Sequence, residues 1–390
     1  MNRIQLRTTV IDGQRPPRRD GHRASRRHFG LRCAGVLLVV LLVWLTWSIG
    51  GALIAPGTGT AAARLAGWGR SHGLGWAISG TAHQASPAKV GGRSASETPI
   101  VSPSRPGSNH PTRPTPSGYL APPDPISPQA QPALSGEGLW QTLVSVHGQT
   151  AIRAAFLRPD AQFTSAQVGV TWLNQKLVKM VLHPGFTTPG GSGWSEPPQV
   201  PDSQRNSLLA TFNSGFLMPA AQGGYWQDGT TAMPLRMGAA SMVAYKDGHV
   251  DVVRWNTATP GPDVAAVRQN LALLVDHGSI TSEAANASWG ATLGNLTYTW
   301  RSAVGIREDG ALVVAVGPSL SPKTLANIMY DAGAVRAMEL DINPEWTNFI
   351  SYTHPSPGVT VPHMLTKDEQ PNPYRYLQPS ARDFVAVLAR

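Results

Sequence analysis

The chain has 390 residues and a formal net charge of +9. That charge is uneven: residues 1–32 carry a net +7, residues 33–135 a net +4, and residues 136–390 a net −2. The basicity belongs to the N-terminal third, so a nucleic-acid-binding face on the remainder is excluded. The one cysteine, Cys33, leaves no disulfide framework, cysteine metal site or thiol chemistry to the rest of the chain.

Residues 33–55 run for 23 positions without a charge. As a helix that length crosses a hydrocarbon core of about 30 Å. Seven arginines from Arg15 to Arg32 are expected to hold the N-terminus in the cytoplasm and send the C-terminus across. Arg26-Arg27 resembles a twin-arginine export signal. The apolar run is nevertheless longer than a signal core and no small-residue cleavage site follows closely, so an uncleaved anchor is expected. Residues 56–135 contain thirteen prolines among Gly, Ser, Ala and Thr. Such a stretch buries too little apolar surface to offset its ordering entropy, and reads as a disordered linker. The expected organisation is a basic cytoplasmic tail (1–32), a transmembrane helix (33–55), the linker (56–135) and one folded extracytoplasmic domain at the cell membrane (136–390).

Within that domain, short apolar runs bounded by Gly, Pro or Asp predict strands over 143–146, 151–157, 168–173 and 178–182. Two hairpins follow one recipe: 240–245 and 250–255 around Asp247-Gly248, then 302–306 and 311–316 around Asp309-Gly310. Residues 264–276 fit helix or strand equally. One helix is well signalled, with Ser321 as cap, Pro322 in the first turn, Leu325, Ile328 and Met329 on one face, and Gly333 at the end. Residues 334–340 return as a buried strand. Together these predict an α+β domain with a mixed, largely antiparallel sheet and a few packed helices.

Three segments carry the candidate chemistry. Asn213, in the turn 211–216 before Gln222-Gly223-Gly224, has the donor and acceptor groups to bind a sugar or phosphate, or else to close its own turn. Arg301, opening a strand, has the planar fork that suits a phosphate, or else forms an ion pair. Glu339 and Asp341 lie on one strand face some 6–7 Å apart, costly unless paired or used. Such a pair can supply acid and base, or nucleophile and acid, for glycosyl transfer to water. The six histidines of the domain form no H-E-x-x-H or H-x-H, and no serine lies in a G-x-S-x-G elbow. No cofactor or metal is expected.

The ordered set Phe212-Asn213-Ser214-Gly215-Phe216, Arg301-Ser302-Ala303-Val304-Gly305-Ile306 with Asp309-Gly310, then the helix over 325–333 leading into Ala337-Met338-Glu339-Leu340-Asp341, resembles the phosphodiester glycosidase domain over roughly residues 205–390. The resemblance implies hydrolysis of the bond between a sugar's anomeric carbon and a phosphodiester oxygen. It puts Asn213, Arg301 and Asp341 in the pocket. Where the family runs Leu-Asp-Gly-Gly-Gly-Ser, this chain has Leu340-Asp341-Ile342-Asn343-Pro344-Glu345, which gives Asn343 and Glu345 binding roles in place of the glycines. The expected function is an anchored hydrolase of a glycosyl-phosphodiester in an envelope glycan or glycolipid, with Asp341 and Glu339 catalytic. The competing expectations are a non-catalytic glycan-binding module on the same scaffold and a metal-dependent phosphodiesterase using Asp341, Glu339 and a histidine.

Overall fold

The computed structural model describes residues 120–285, 289, 297–369 and 372–390. The expected membrane helix over 33–55 and most of the expected linker lie outside them. Among the described residues no helix is long and apolar enough to cross a membrane.

Four strands open the fold: β1 (Gln141–Val146), β2 (Gln149–Leu157), β3 (Val168–Leu173) and β4 (Val178–His183). A helical turn, α1 (Asp202–Arg205), leads to β5 (Leu208–Asn213), and a second, α2 (Met218–Ala221), follows it. Then come β6 (Tyr225–Gln227), β7 (Thr230–Met233), β8 (Ala240–Tyr245) and β9 (Val250–Arg254). Next are β10 (Val264–Gln269), β11 (Leu273–Asp276) and β12 (Ser279–Ile280). The long hairpin β13 (Thr299–Arg307) and β14 (Leu312–Leu320) precedes helix α3 (Pro322–Asp331) and β15 (Ala334–Glu339). The chain closes with β16 (Phe349–Thr353), β17 (Val361–Met364) and β18 (Phe384–Ala389).

These strands form three sheets, ordered β1-β2-β3-β14-β13-β15-β11-β12, β7-β6-β10-β8-β9 and β17-β16-β5-β18-β4. Every ladder among the described strands is antiparallel, so the antiparallel part of the expectation holds and the mixed part does not. The expected α+β class is corrected to mostly β, because α3 is the only described α-helix longer than one turn. Residues 264–276 resolve as two strands, β10 and β11, broken at Leu271, whose φ is +55°.

Strand alternation explains how the eight-stranded sheet is covered on both faces. Val304, Leu312, Val314, Val316 and Met338 enter one core with Phe212, Met242 and Phe349 from the other two sheets. Their neighbours Ala303, Val313, Ala315 and Ala337 enter a second core with Leu325, Ile328 and Met329 of α3. The two hairpin loops are alike, and differ from the tight two-residue turn expected. Gly248 and Gly310 alone take positive φ (+85° and +79°), and their amides return to Tyr245 O (2.8 Å) and Arg307 O (3.1 Å). One left-handed glycine per loop is what the longer bulged turn requires.

Helix α3 keeps its predicted cap. The Ser321 hydroxyl accepts from Thr324 N at 3.0 Å while the Thr324 hydroxyl accepts from Ser321 N at 2.7 Å, a reciprocal capping box. Replacing Ser321 with Ala is expected to lower unfolding stability by about 1 kcal/mol in urea titration. An unchanged midpoint would mean that packing of the apolar face alone holds the helix.

The folded unit begins before the expected boundary at Gly136. Ile126 and Ala130 are buried, and Ile126 N donates to Gly138 O at 2.9 Å. Arg158, at the end of β2, binds Glu137 through Nε (3.0 Å) and Nη2 (2.8 Å), and its Nη2 also reaches the carbonyls of Ala130 and Pro132. A proline-rich composition hid a segment fixed by one arginine.

Candidate functional site

The three sheets meet at the C-terminal end of β5. Asn213 ends that strand, buried, with its side chain used on both sides. Nδ2 donates to Ser302 Oγ of β13 (2.8 Å) and Oδ1 accepts from Asn348 N (3.0 Å). Ser302 Oγ passes the connection on to Asp341 O at 2.8 Å, and Asp341 N donates to Ser214 O at 2.9 Å. Asn213 therefore joins two sheets to the segment after β15. The turn it opens also needs Gly215, because a Cβ there would lie 2.8 Å from Arg268 Cζ.

Three arginine–carboxylate pairs surround this turn. Arg268 Nε donates to Asp383 Oδ2 at 2.7 Å, linking β10 to the start of β18, with both side chains at 0% exposure. Arg301 Nη1 donates to Glu339 Oε1 at 2.6 Å, with side chains at 1% and 0%. Arg382 Nη2 donates to Asp341 Oδ2 and to Gly215 O, with side chains at 8% and 7%. Of the three pairs the third is the least deeply buried.

The expected phosphate role of Arg301 is corrected by its surroundings. Its Nε donates to Leu320 O (2.8 Å), Nη1 to Trp289 O (2.6 Å) and Nη2 to Thr297 O (3.0 Å), besides the bond to Glu339. A guanidinium held by three carbonyls and a carboxylate has no fork left for phosphate. Glu339 likewise lies one layer below the surface. Register places it opposite Ala303, on the α3 side, and β15 ends there, so Asp341 turns away to Arg382. The expected acid–base pair is thus divided between two ion pairs. Burial pushes the Glu339 carboxyl up to about 7 against the lowering effect of Arg301, with the Asp341 charge adding to the rise. Burial also raises Asp341, opposed first by Arg382 and then by the Asn343 amide.

The segment after Asp341 replaces glycines with two consecutive side-chain turns. Asp341 Oδ1 accepts from Asn343 N at 3.0 Å, and Asn343 Oδ1 accepts from Glu345 N at 3.0 Å. Asn343 and Glu345 are half-buried and shape this turn. Its outcome is the position of Trp346, half-buried beside two guanidinium groups: Arg375 Cζ is 5.3 Å and Arg382 Cζ 5.5 Å from the ring centroid. Arg375 Nη1 also donates to Glu345 O. Sequence reasoning missed Arg382, Arg375, Trp346, Arg268 and Asp383. The signal available for Arg268 and for Arg382-Asp383 was a charge within or beside an apolar strand, which demands a partner.

Behind this group, Glu369 accepts from Phe349 N (3.0 Å) and Thr366 N (2.9 Å), and burial pushes its carboxyl up to about 8. Between its ordinary value of 4.5 and about 8, the folded chain holds a proton that the unfolded chain has lost. Unfolding free energy therefore falls as pH rises through that window. The stability difference between wild type and Glu369→Gln is expected to change across pH 5 to 8, in the direction of a flatter variant profile. Parallel urea-unfolding profiles would show that Glu369 is ionised throughout.

Among the described residues no group of three or more His, Cys, Asp or Glu stands close enough to hold a metal. A cavity of about 210 Å³ lies at the β1–β2 turn, lined by Leu120, Gly148, Gln149, Thr150, Arg153 and Asn174. None of these belongs to the ion-pair cluster.

Residues 206–341 match the family described as phosphodiester glycosidase. Among solved structures, the zebrafish N-acetylglucosamine-1-phosphodiester alpha-N-acetylglucosaminidase catalytic domain, auto-inhibited by pro-peptide, is similar at 15% identity and a TM-score of 0.40. That alignment covers 65% of this chain and 88% of that one. A hypothetical protein from Synechocystis is similar at 12% identity and a TM-score of 0.34, over 65% of this chain and 64% of that one. No curated protein sequence matches.

Proposed function

With residues 206–341 matching the phosphodiester glycosidase family as a divergent member, we propose that the domain hydrolyses a glycosyl-1-phosphodiester. Water adds to the anomeric carbon, the bond from that carbon to the phosphate oxygen breaks, and the products are free sugar and a phosphate monoester. The observation that carries the reading is the least buried of the three ion pairs, Arg382–Asp341, beside Trp346. An ordinary glycosidase needs two carboxylates because its leaving alcohol must be protonated. A leaving phosphate monoester, with a second pKa near 6, requires little such help. One carboxylate in the least buried pair, a guanidinium for the phosphate and an aromatic ring beside them for the sugar match that lighter requirement. In this scheme Asp341 attacks the anomeric carbon or activates water, Arg382 and Arg375 hold the phosphate, and Asn213 fixes the position of Asp341. Arg301 and Glu339 support the site from below.

The proposal includes an extracytoplasmic location at the cell membrane, with residues 33–55 as anchor and the substrate in an envelope glycan or glycolipid. What supports it is the uncharged 23-residue run with its arginine-rich flank. A second reading, a glycan-binding module without catalysis, is favoured by the close Arg382 partner that already neutralises Asp341.

The two readings separate in one assay. The full chain in detergent is incubated with para-nitrophenyl and alkyl sugar-1-phosphodiesters, and free sugar is measured beside Arg382→Met. Release by the wild type, reduced in the variant, supports hydrolysis. Binding of the diesters without turnover supports the module.

A further inference from the structure

We propose that the substrate is an amphiphile: a glycosyl-phosphodiester whose other phosphate substituent is a long hydrocarbon chain. This rests on the hydrolase reading and narrows its substrate class. Four exposed or half-exposed apolar residues, from four separate segments, belong to or adjoin in the chain the segments that build the Arg382–Trp346 centre. Phe186 is 59% exposed, in a loop that runs beside the segment leading into Arg382: Phe186 N donates to Ser380 O (3.0 Å), and the amides of Thr187 and Thr188 both reach Ala381 O. Leu217 is 49% exposed and follows by two positions the Gly215 carbonyl that Arg382 holds. Tyr374 is 50% exposed and precedes Arg375, which packs over Trp346. Trp346 itself is the fourth.

Scattered single apolar residues on a surface need no explanation. The segments that carry 186, 217, 346 and 374 are linked by the fold, not by sequence, through the contacts of Arg382, Trp346 and Arg375. Their centre is cationic and their edge apolar. A free polysaccharide phosphodiester matches the cations but leaves the edge in water. An anionic head on a hydrocarbon chain matches both, with the phosphate at Arg382 and Arg375 and the first methylenes over Phe186, Leu217 and Tyr374. Hydrolysis then leaves the phosphate on the hydrocarbon chain, as an alkyl monophosphate, and frees the sugar.

The test compares methyl and decyl glucosyl-1-phosphodiesters with the full chain in detergent, beside a Phe186→Ser/Leu217→Ser/Tyr374→Ser variant. Covering a few methylenes predicts a decyl-over-methyl preference of about tenfold in kcat/KM. The preference should fall to near one in the variant. Partitioning into micelles is common to both proteins, so the change between them is what is read. An equal rate on both diesters, or a preference that survives the triple replacement, overturns the proposal. If neither diester is hydrolysed, the hydrolase reading fails separately, and calorimetric binding of decyl phosphate against methyl phosphate decides this one. Tighter decyl binding that the variant loses supports the apolar edge, and equal binding in both proteins overturns it.

Discussion

Asp341→Asn is expected to reduce sugar release at least about a thousandfold, the scale on which a nucleophile or general base acts. The substitution is isosteric. Its remaining oxygen can still accept from the Asn343 amide that Asp341 Oδ1 holds now, so the turn that carries Trp346 is retained. What is lost is the charge facing Arg382. Some stability is lost as well, because Arg382 keeps a nearly buried charge without its partner. Thermal unfolding therefore has to be measured beside kcat. A folded variant with near-native kcat would remove Asp341 from the chemistry. The pH profile gives an independent check. Burial raises the Asp341 carboxyl, so the acid limb of kcat/KM should lie above the ordinary carboxylate range, with activity lost as pH falls through it. Arg382 opposes that rise, so in Arg382→Met the limb should move further upward. A limb that moves down, or stays, contradicts the assignment.

The strands were the most legible part of the sequence. Residues 168–173 are β3 as read, and the α3 cap was visible in Ser321-Pro322 because capping is local chemistry. Class was less legible. The helix count expected for an α+β domain came from α3 alone, and nothing between 200 and 222 shows that two segments there stop after one turn. Residues 264–276 were ambiguous since a continuous apolar run has neither period. The break at Leu271 is set by tertiary contacts, with its amide donating to Ala221 O at 2.7 Å.

The site divides the same way. Asn213, Glu339 and Asp341 stand out in the sequence through unusual polarity in an apolar context. Their partners were not, because Arg268 and Asp383 are 115 positions apart and Arg382 and Asp341 are 41 apart. Pairing of that kind is a property of sheet order. Alternation correctly placed Glu339 and Asp341 on one face of an ideal strand. It failed because β15 ends at Glu339, and the Asp341 amide leaves the ladder for Ser214.

The same distinction assigns Arg301 to stability. Arg301→Ala leaves Glu339 buried without its cation, and the Glu339 Oε2 atom already has no hydrogen-bond partner among the described residues. Removing one partner of a buried pair costs about 3–5 kcal/mol, whereas replacing both with well-packed apolar groups is often neutral. Arg301→Ala is thus expected to shift urea unfolding by that amount. Arg301→Met combined with Glu339→Leu should recover most of it. Part of the loss in the single variant should vanish in acid. Glu339 is pushed up to about 7 while Arg301 is present, and removing the arginine takes away its main lowering influence. The uncompensated carboxyl is then protonated still more readily in the folded chain than in the unfolded one, so the variant gains stability as pH falls through neutrality toward the ordinary carboxylate value. A phosphate-binding arginine would behave differently. Its loss would raise KM for the diester at an unchanged unfolding midpoint, and the double replacement would rescue nothing.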